Sequence, residues 1–495
     1  MEKKNDASPA IAAIRPEDEK LGLTANVLYG FQHVLTMYGG IVAVPLVMAN
    51  AAGMSAADTG LLITACLFMG GLATLLQTLG VPFFGSRLPL VQGVSFSGVA
   101  TMISILHTGG GMQGVLGAVI LASLLGLVIA PVFSKLTRFF PPLVNGCVIT
   151  IIGMSLMPVA AHWAMGGDSQ AADYGSMGNI GLAGLSLVIV LALSKVGSAM
   201  ISRLSILLAI VLGTVFAALI GKADFSVVGS GPWFAVPMPL HFGWPTFSVA
   251  ATISMSIVIL VTLVETSADI LAVGDIVGTR VDSRRLADGL RADMLSSAVA
   301  PFFGSFTQSA FAQNVGLVAV TGIKSRYVVA CSGLILIAFG LLPVIGRLVA
   351  CVPSAVLGGA GLVLFGTVAA SGIRTLAKVD YHNNMNLIIV AASIGMGMLP
   401  MVKPDFYHHF PAWFATMFHS GISSTTVTVM LLNLAFNHFR AGNPEQPSVF
   451  EAGSERILSA SVIKALADGD RVENGRIYDK DGKEVPILAA AAHGH

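Results

Sequence analysis

Charge is scarce in this chain: of 495 residues only 11% are Asp, Glu, Lys or Arg, against roughly 25% in an ordinary soluble domain. With 55% hydrophobic residues and a mean hydropathy of +0.81, a water-soluble protein is excluded. An excess of either sign is missing too, since 27 Lys and Arg stand against 26 Asp and Glu. A chain without a basic field has nothing to hold nucleic acid, and that class of function is excluded. Cysteine is rare, and Cys66, Cys147, Cys331 and Cys351 lie in or beside apolar stretches, with no CxxC spacing and no histidine cluster nearby. They read as small core residues, and neither a metal site nor a disulfide framework is expected. The first 20 residues hold no apolar stretch directly after a basic start, so no cleaved signal peptide is expected.

What is abundant is the long apolar run. At roughly 20 apolar residues per span, runs near 27–49, 59–80, 89–105, 112–134, 141–161, 178–197, 203–221, 249–271, 288–303, 306–321, 327–346, 353–373, 385–401 and 413–437 read as membrane spans. Fourteen spans leave no room for a large soluble catalytic domain, and the expected fold class is an all-α polytopic membrane protein. Threading from a cytoplasmic N-terminus puts Arg87, Lys135, Arg138, Lys195, Arg203, Arg280, Arg284, Arg285, Lys324, Arg326, Arg374 and Lys378 in inner loops. Only Lys222, Arg347 and Lys403 fall outside. That asymmetry satisfies the positive-inside rule and places both termini in the cytoplasm. From Ala441 onward the chain turns polar, with Glu451, Glu455, Asp468, Asp470 and Lys483, and reads as a cytoplasmic extension of low structural content.

Spans three and ten are short, contain glycine and carry polar residues where lipid contact forbids them. Phe83-Phe84-Gly85-Ser86 precedes the third and Phe302-Phe303-Gly304-Ser305 the tenth, a spacing of 219 that aligns Ser95 with Asn314 and Ser97 with Gly316. A second echo pairs Pro141-Pro142-Leu143-Val144-Asn145-Gly146 with Pro353-Ser354-Ala355-Val356-Leu357-Gly358 at a spacing of 212. Both pairs are seven spans apart. An odd offset makes matching spans run in opposite directions, the signature of an inverted-topology repeat, whose substrate site lies near the midplane between interrupted helices.

An ionisable residue at mid-span costs roughly 2.5 to 3.5 kcal/mol on insertion scales, so each one asks for a reason. Span eight carries Glu265 and Asp269 on one helical face, span nine carries Asp293, and span one carries Gln32 and His33. A carboxylate in such a place can bind a polar solute and exchange a proton, and a histidine begins near neutrality. In span ten, Phe311-Ala312-Gln313-Asn314-Val315-Gly316 puts two carboxamides where a plain spanning helix would not. Gln313 offers donors and an acceptor together, the pairing surface that suits a ring with adjacent N–H and C=O groups. Breaks of this kind are tolerated where they line a cavity. A planar heterocycle packed by Phe96, with its edges read by Glu265 and Gln313, follows as the expectation.

At these residues the chain resembles the nucleobase-ascorbate transporter family, over about residues 25–440. The family pattern in span ten is matched by Gln313-Asn314-Val315-Gly316-Leu317-Val318-Ala319-Val320-Thr321, followed by Gly322-Ile323-Lys324-Ser325-Arg326, and its Gln-His motif by Gln32-His33. The resemblance implies fourteen spans in two inverted sevens, with short β-like strands in the interrupted spans. It implies an N-terminal tail over 1–26, a core domain from 27–134 and 249–350, a gate domain from 135–221 and 353–440, and a cytoplasmic tail over 441–495. Movement of the core would be elevator-like, and dimers are usual. Glu265 and Gln313 would bind the base, Ser95, Phe96 and Ala312 would line the site, and Asn314 would shape it. His33, Asp269 and Asp293 would hold the core network and assist proton coupling, with no metal and no cofactor beyond the proton gradient.

The resemblance also implies a substrate. Xanthine-preferring members tend to carry Asn at the position of Ser95, and Val315 looks more like the bacterial urate branch than the second Asn of xanthine carriers. The uracil branch usually has Glu in place of Gln313 and His in place of Asp269. Uptake of urate, with xanthine second, across a bacterial inner membrane is therefore the expectation, with a xanthine- or uracil-selective permease as the alternative. Against the rivals, an anion carrier of the sulfate/bicarbonate type would put cationic or neutral donors where this chain has a carboxylate. An intramembrane aspartyl protease would need a Gly-x-Gly-Asp type of signature beside Asp269 or Asp293, and a channel needs no titratable pair at the midplane.

Overall fold

Long apolar runs satisfy their own backbone groups only as helices when no water is at hand, and helices dominate the structure. The computed structural model describes residues 15–438, except 137–140, 199–200, 203, 227, 230, 382–383, 408, 412–413, 415–417 and 419, and in the tail 471–473, 476–481 and 483–485. Arg138, Arg203, Glu451, Glu455, Asp468 and Asp470 lie outside the described residues. Among the described residues, eight helices are long and apolar enough to cross a membrane.

In chain order the membrane unit begins with α1 (Leu23–Ala51), α2 (Ala56–Leu79), a strand β1 (Gln92–Val94), the half-helix α3 (Val99–Ile105) and α4 (Gly111–Leu136). α3 and α4 are separated by Gly109 and Gly111, whose φ angles of +89° and +59° only glycine adopts without strain. The fifth apolar run is α5 (Pro142–Ser155) followed by α6 (Met157–Ala164), and α7 (Met177–Val196) and α8 (Ser205–Leu219) come next. The second half holds α9 (Val249–Val277), α10 (Ser283–Val299), strand β2 (Gln308–Ala310) and the half-helix α11 (Ala312–Thr321). It ends with α12 (Arg326–Gly340), α13 (Pro343–Ala350), α14 (Ser354–Leu376), α15 (Asn384–Val402) and α16 (Gly421–Asn433). The run expected as one span over 327–346 is α12 and α13, bent by 78° at the break before Pro343.

Two sets of helices pack tightly. α2 lies on α12 and α13, α1 on α12, and α4 on α9 and α10. In the other set α14 lies on α5, α6, α7 and α8, and α16 on α5 and α15. Glycines allow backbone contact in each. A Cβ on Gly71 of α2 would stand 2.6 Å from the Gly333 carbonyl of α12, and one on Gly372 of α14 would stand 2.3 Å from the Thr150 amide of α5. Small residues bring helices together where lipid removes the hydrophobic drive for association.

Between the helices of the first set lie β1 and β2, antiparallel to each other, with Gln92 opposite Ala310, Gly93 opposite Ser309 and Val94 opposite Gln308. Each strand's outer edge is closed by one hydroxyl. Thr74 of α2 accepts from the Gln92 amide at 2.9 Å, and Ser297 of α10 accepts from the Gln308 amide at 2.8 Å. This register corrects the alignment read from the Phe-Phe-Gly-Ser turns. A local two-fold through Gly93 and Ser309 matches Gln92 with Gln308, a spacing of 216 instead of 219. The chain from Ser305 to the ladder is three residues shorter than the chain from Ser86, so Ser95 matches Phe311 and Ser97 matches Gln313.

Several cations expected in loops lie at helix starts and hold neighbouring chain ends. Arg285 pairs with the buried Glu17 at 2.7 Å and donates to the Ser86 carbonyl, while Arg326 pairs with Asp18 and donates to the carbonyls of Thr78 and Leu79. Arg347, expected in an outer loop, is buried and donates to the carbonyls of Val228 and Pro232.

The tail forms its own unit, and its described part is more ordered than its composition implied. Strands β3 (Arg471–Glu473), β4 (Arg476–Tyr478) and β5 (Glu484–Val485) make an antiparallel sheet. The Asp479 carboxylate accepts from the amides of Asp481 and Lys483 and closes the turn, a use of Asp that polarity alone does not reveal.

Candidate functional site

Glu265 and Asp269 stand one turn apart on α9, both half-buried. Asp293, on α10, is almost wholly buried, and Thr266 donates its hydroxyl to Asp293 Oδ2 at 2.6 Å. The same Thr266 oxygen faces the Ala310 amide at 3.5 Å, so one threonine links α10, α9 and β2. Asp269 Oδ2 and Asp293 Oδ1 are buried and have no hydrogen-bond partner among the described residues. Buried polar atoms without partners are costly, which marks these two carboxyl groups as places where a proton or a solute can add a bond.

His33 of α1 is buried against the start of α11. Asn314 donates from Nδ2 both to His33 Nδ1 and to the His33 carbonyl, each at 3.0 Å. An imidazole that accepts at Nδ1 carries its proton at Nε2, so this contact fixes the tautomer. Asn314 itself is fully buried. Successive residues on a helix point about 100° apart, and where Asn314 turns into the packed interior its neighbour Gln313 is exposed. Gln313 lines a cavity of about 350 Å³ together with Thr36, Gly316, Leu207, Leu364 and Thr367.

Span three treats its polar groups differently. The hydroxyls of Ser95 and Ser97 share a 2.6 Å hydrogen bond, and Ser97 continues to Thr262 of α9 at 3.0 Å, so both serines are buried and turned toward a helix. Phe96 is half-buried and meets Phe365 of α14 edge to face, with ring centroids 6.1 Å apart. Ala312 is exposed at the head of α11.

Glu265 lines a second cavity, of about 80 Å³, whose other polar walls are Asn145 of α5, Thr375 of α14 and Thr426 of α16. The structure therefore places Glu265 and Gln313, both expected at one base, in two different cavities. Both cavities lie where the two sets of helices face each other. The smaller is below the roughly 300 to 1,000 Å³ of ordinary ligand pockets and the larger is within it. The sequence reading missed Thr266, Thr262, Phe365, Thr375, Thr426 and Asn145. Asn145 was visible in the Pro141–Gly146 run, read there only as a repeat marker, whereas the threonines carry no signal in a chain rich in small residues. Among the described residues no cluster of His, Cys, Asp or Glu is arranged to hold a metal ion.

Comparisons with known proteins bear on this arrangement. The chain is 39% identical over 456 residues to the uric acid transporter UacT of Escherichia coli, covering 91% of this chain and 94% of that one. It is 40% identical over 418 residues to the xanthine permease of Bacillus subtilis, covering 84% and 95%. Among solved structures it is similar to the transmembrane domain of the cyanobacterial bicarbonate transporter BicA, with a TM-score of 0.55, 13% identity and coverage of 84% of this chain and 100% of that one. It is also similar to the murine anion transporter Slc26a9 in its inward-facing state, with a TM-score of 0.59, 14% identity and coverage of 86% and 69%. At such identities the two structures speak for the fold alone. Residues 24–406 match the model of a permease family, and the chain belongs to that family, the nucleobase-ascorbate transporters, as a multi-pass membrane protein.

Proposed function

We propose that this chain is a proton-coupled symporter that takes up oxopurines, urate first and xanthine second, by elevator-type alternating access. It works as a homodimer in a bacterial inner membrane with both termini in the cytoplasm. The observation that carries the reading is a carboxylate, Glu265, half-buried on α9 and facing a cavity walled by the other set of helices. A carboxylate accepts hydrogen bonds from ring N–H groups, and Gln313 supplies both donors and an acceptor from α11. The names of the relatives, a uric acid transporter and a xanthine permease, support the substrate class.

We read the set built on α1–α4 and α9–α13 as the core and the set built on α5–α8 and α14–α16 as the gate. Packing within each set, with cavities between them, supports this division. Sliding the core along the gate would carry α9 and α11 together, so Glu265 and Gln313 travel as a unit while the gate residues opposite them change. Ser95, Asn314 and His33 then act as scaffold behind the contact residues, and Asp269 and Asp293 as the network through which a proton is shared. One proton moving through 100 mV supplies about 2.3 kcal/mol, enough for roughly fifty-fold accumulation of an uncharged base such as xanthine at 1.36 kcal/mol per tenfold. An anion-carrier reading draws on the fold alone.

The test is uptake of radiolabelled urate, xanthine and uracil by cells lacking their own carriers, with and without a protonophore. Urate and xanthine should accumulate, the protonophore should abolish accumulation, and Glu265→Gln should lower uptake at least tenfold while eluting as folded protein in detergent. Uptake at the unaltered level by Glu265→Gln would remove that residue from the site, and accumulation indifferent to the protonophore would remove the coupling.

A further inference from the structure

Besides the cavities of Gln313 and Glu265 the membrane unit holds a larger one, of about 530 Å³. One wall is a stripe of α8 that runs from Leu207 through Ile210 and Thr214 to Leu219, at spacings of three to five residues that keep it on one helical face. The other wall is Val42 of α1 and Val349 of α13. α8 itself is held to α7 and α14, so the cavity separates it from the helices of the other set.

The lining decides what can sit there. Among the described residues around this cavity none is charged, and its hydroxyl side chains are Tyr38 and Thr214. Thr214 gives its proton to the Ile210 carbonyl at 2.7 Å, so it has no donor left for a ligand. A purine would leave most of its N–H and C=O groups without partners in such a place, a cost that rules it out. The occupant must be apolar.

The way in is equally clear. Val211, Val215 and Leu219 line the cavity and are 49%, 53% and 80% exposed, and in a multi-pass membrane protein side chains exposed at mid-helix look onto hydrocarbon. The groove therefore opens sideways into the bilayer. From Leu207 to Leu219 an α-helix rises about 18 Å, close to half of the roughly 30 Å hydrocarbon core, the depth of one leaflet. A groove that is long, apolar and open to lipid along its length has the form of an extended hydrocarbon chain.

We propose that this groove is a binding site for one acyl chain of a bilayer phospholipid, lying lengthwise along α8 and packed between it and α1. At one end it shares Gly39 and Leu207 with the cavity of Gln313, so the chain ends beside that cavity, where Gly39 has no side chain to divide the two.

The experiment uses full-length protein in liposomes whose phosphatidylcholine carries a diazirine at the end of one acyl chain, with irradiation followed by peptide mapping. Adducts should form at Val42 as well as on α8, since Val42 is buried from plain bilayer contact. Thr214→Phe and Val42→Phe fill the groove from opposite walls. The first should lower labelling at Val42 at least fivefold and the second labelling at Ile210 by as much, with labelling of the exposed Val188 and Leu191 of α7 unchanged in both. Adducts confined to the exposed face of α8, or labelling of the facing wall that survives the fillers, would overturn the proposal. So would an efficient oxidative crosslink between two copies of Val215→Cys, which would put a second copy of the chain over the groove. Should one filler not elute as folded protein, the map of the unaltered chain and the other filler decide.

Discussion

The interrupted spans three and ten share a scaffold and differ in chemistry. Each enters as a three-residue strand, each strand has its outer edge closed by one helix hydroxyl, and each continues into a half-helix. At matched positions the side chains part ways. Ser97 is buried and bonded to Ser95 and Thr262, whereas its partner by the ladder register, Gln313, is exposed to a cavity of about 350 Å³. Ser95 is matched by Phe311, and Phe96 by Ala312. Similar backbones thus turn the polar side chain of one span into the packed interior and that of the other toward a cavity.

The sharpest way to break this comparison is to remove the fit of the ladder itself. Phe311 lies between two glycines: a Cβ on Gly93 would stand 2.6 Å from its Cε2, and one on Gly40 would stand 2.8 Å from its Cε1. The ring is buried and blocked on both sides, so it cannot yield cheaply. Gly93→Leu should cost about 3 kcal/mol or more through overpacking, with little folded protein recovered in detergent. The double variant Gly93→Leu with Phe311→Ala should recover much of it, and a double variant no better than the single would show that the ring is not what Gly93 makes room for.

Next in size is the chemistry of the matched pair. Gln313→Ala should lower purine affinity by roughly 1 to 3 kcal/mol, about five- to 150-fold, because the base loses a donor–acceptor partner. Ser97→Ala removes a hydroxyl already engaged with Ser95 and Thr262 and should change affinity far less. Binding titrations on purified protein compare the two directly. Equal losses would mean that both spans contribute to the ligand surface alike.

Much of this was legible in the sequence, for physical reasons that also mark where reading stops. A membrane helix needs a long apolar run, so α1, α2, α7, α9 and α14 announce themselves, and mid-span carboxylates must have a purpose, which singles out Glu265, Asp269 and Asp293. Three-residue strands are too short to show alternation, and β1 and β2 were reached only through a resemblance. A shift of three residues between turn and ladder is invisible until the strands pair, so Ser95 was matched to Asn314 and not to Phe311. Gln313 and Asn314 are adjacent carboxamides given different roles by the resemblance, and the packing supplies what the sequence could not, turning Asn314 onto His33 and leaving Gln313 to the cavity. Residues opposite Glu265, such as Asn145, belong to distant spans, and nothing short of the packing brings them to it.

The smallest effect tests the shared scaffold. Thr74 accepts from the Gln92 amide and donates to the Gly70 carbonyl at 2.7 Å, while Ser297 accepts from the Gln308 amide and donates to the Gln308 carbonyl at 3.3 Å. Thr74→Val and Ser297→Ala each leave a buried backbone N–H without an acceptor, a cost of about 1 to 3 kcal/mol before local relaxation. Spread over a membrane unit of this size, that loss should appear as a modest fall in melting temperature, similar for the two variants, with purine affinity nearly unchanged because neither hydroxyl lines the cavity of Gln313 or that of Glu265. Thermal unfolding in detergent beside ligand titration measures both quantities on one sample. If one hydroxyl alters affinity and the other only stability, the two strands are not equivalent supports, and the division of labour between spans three and ten begins in the ladder and not in the side chains that follow it.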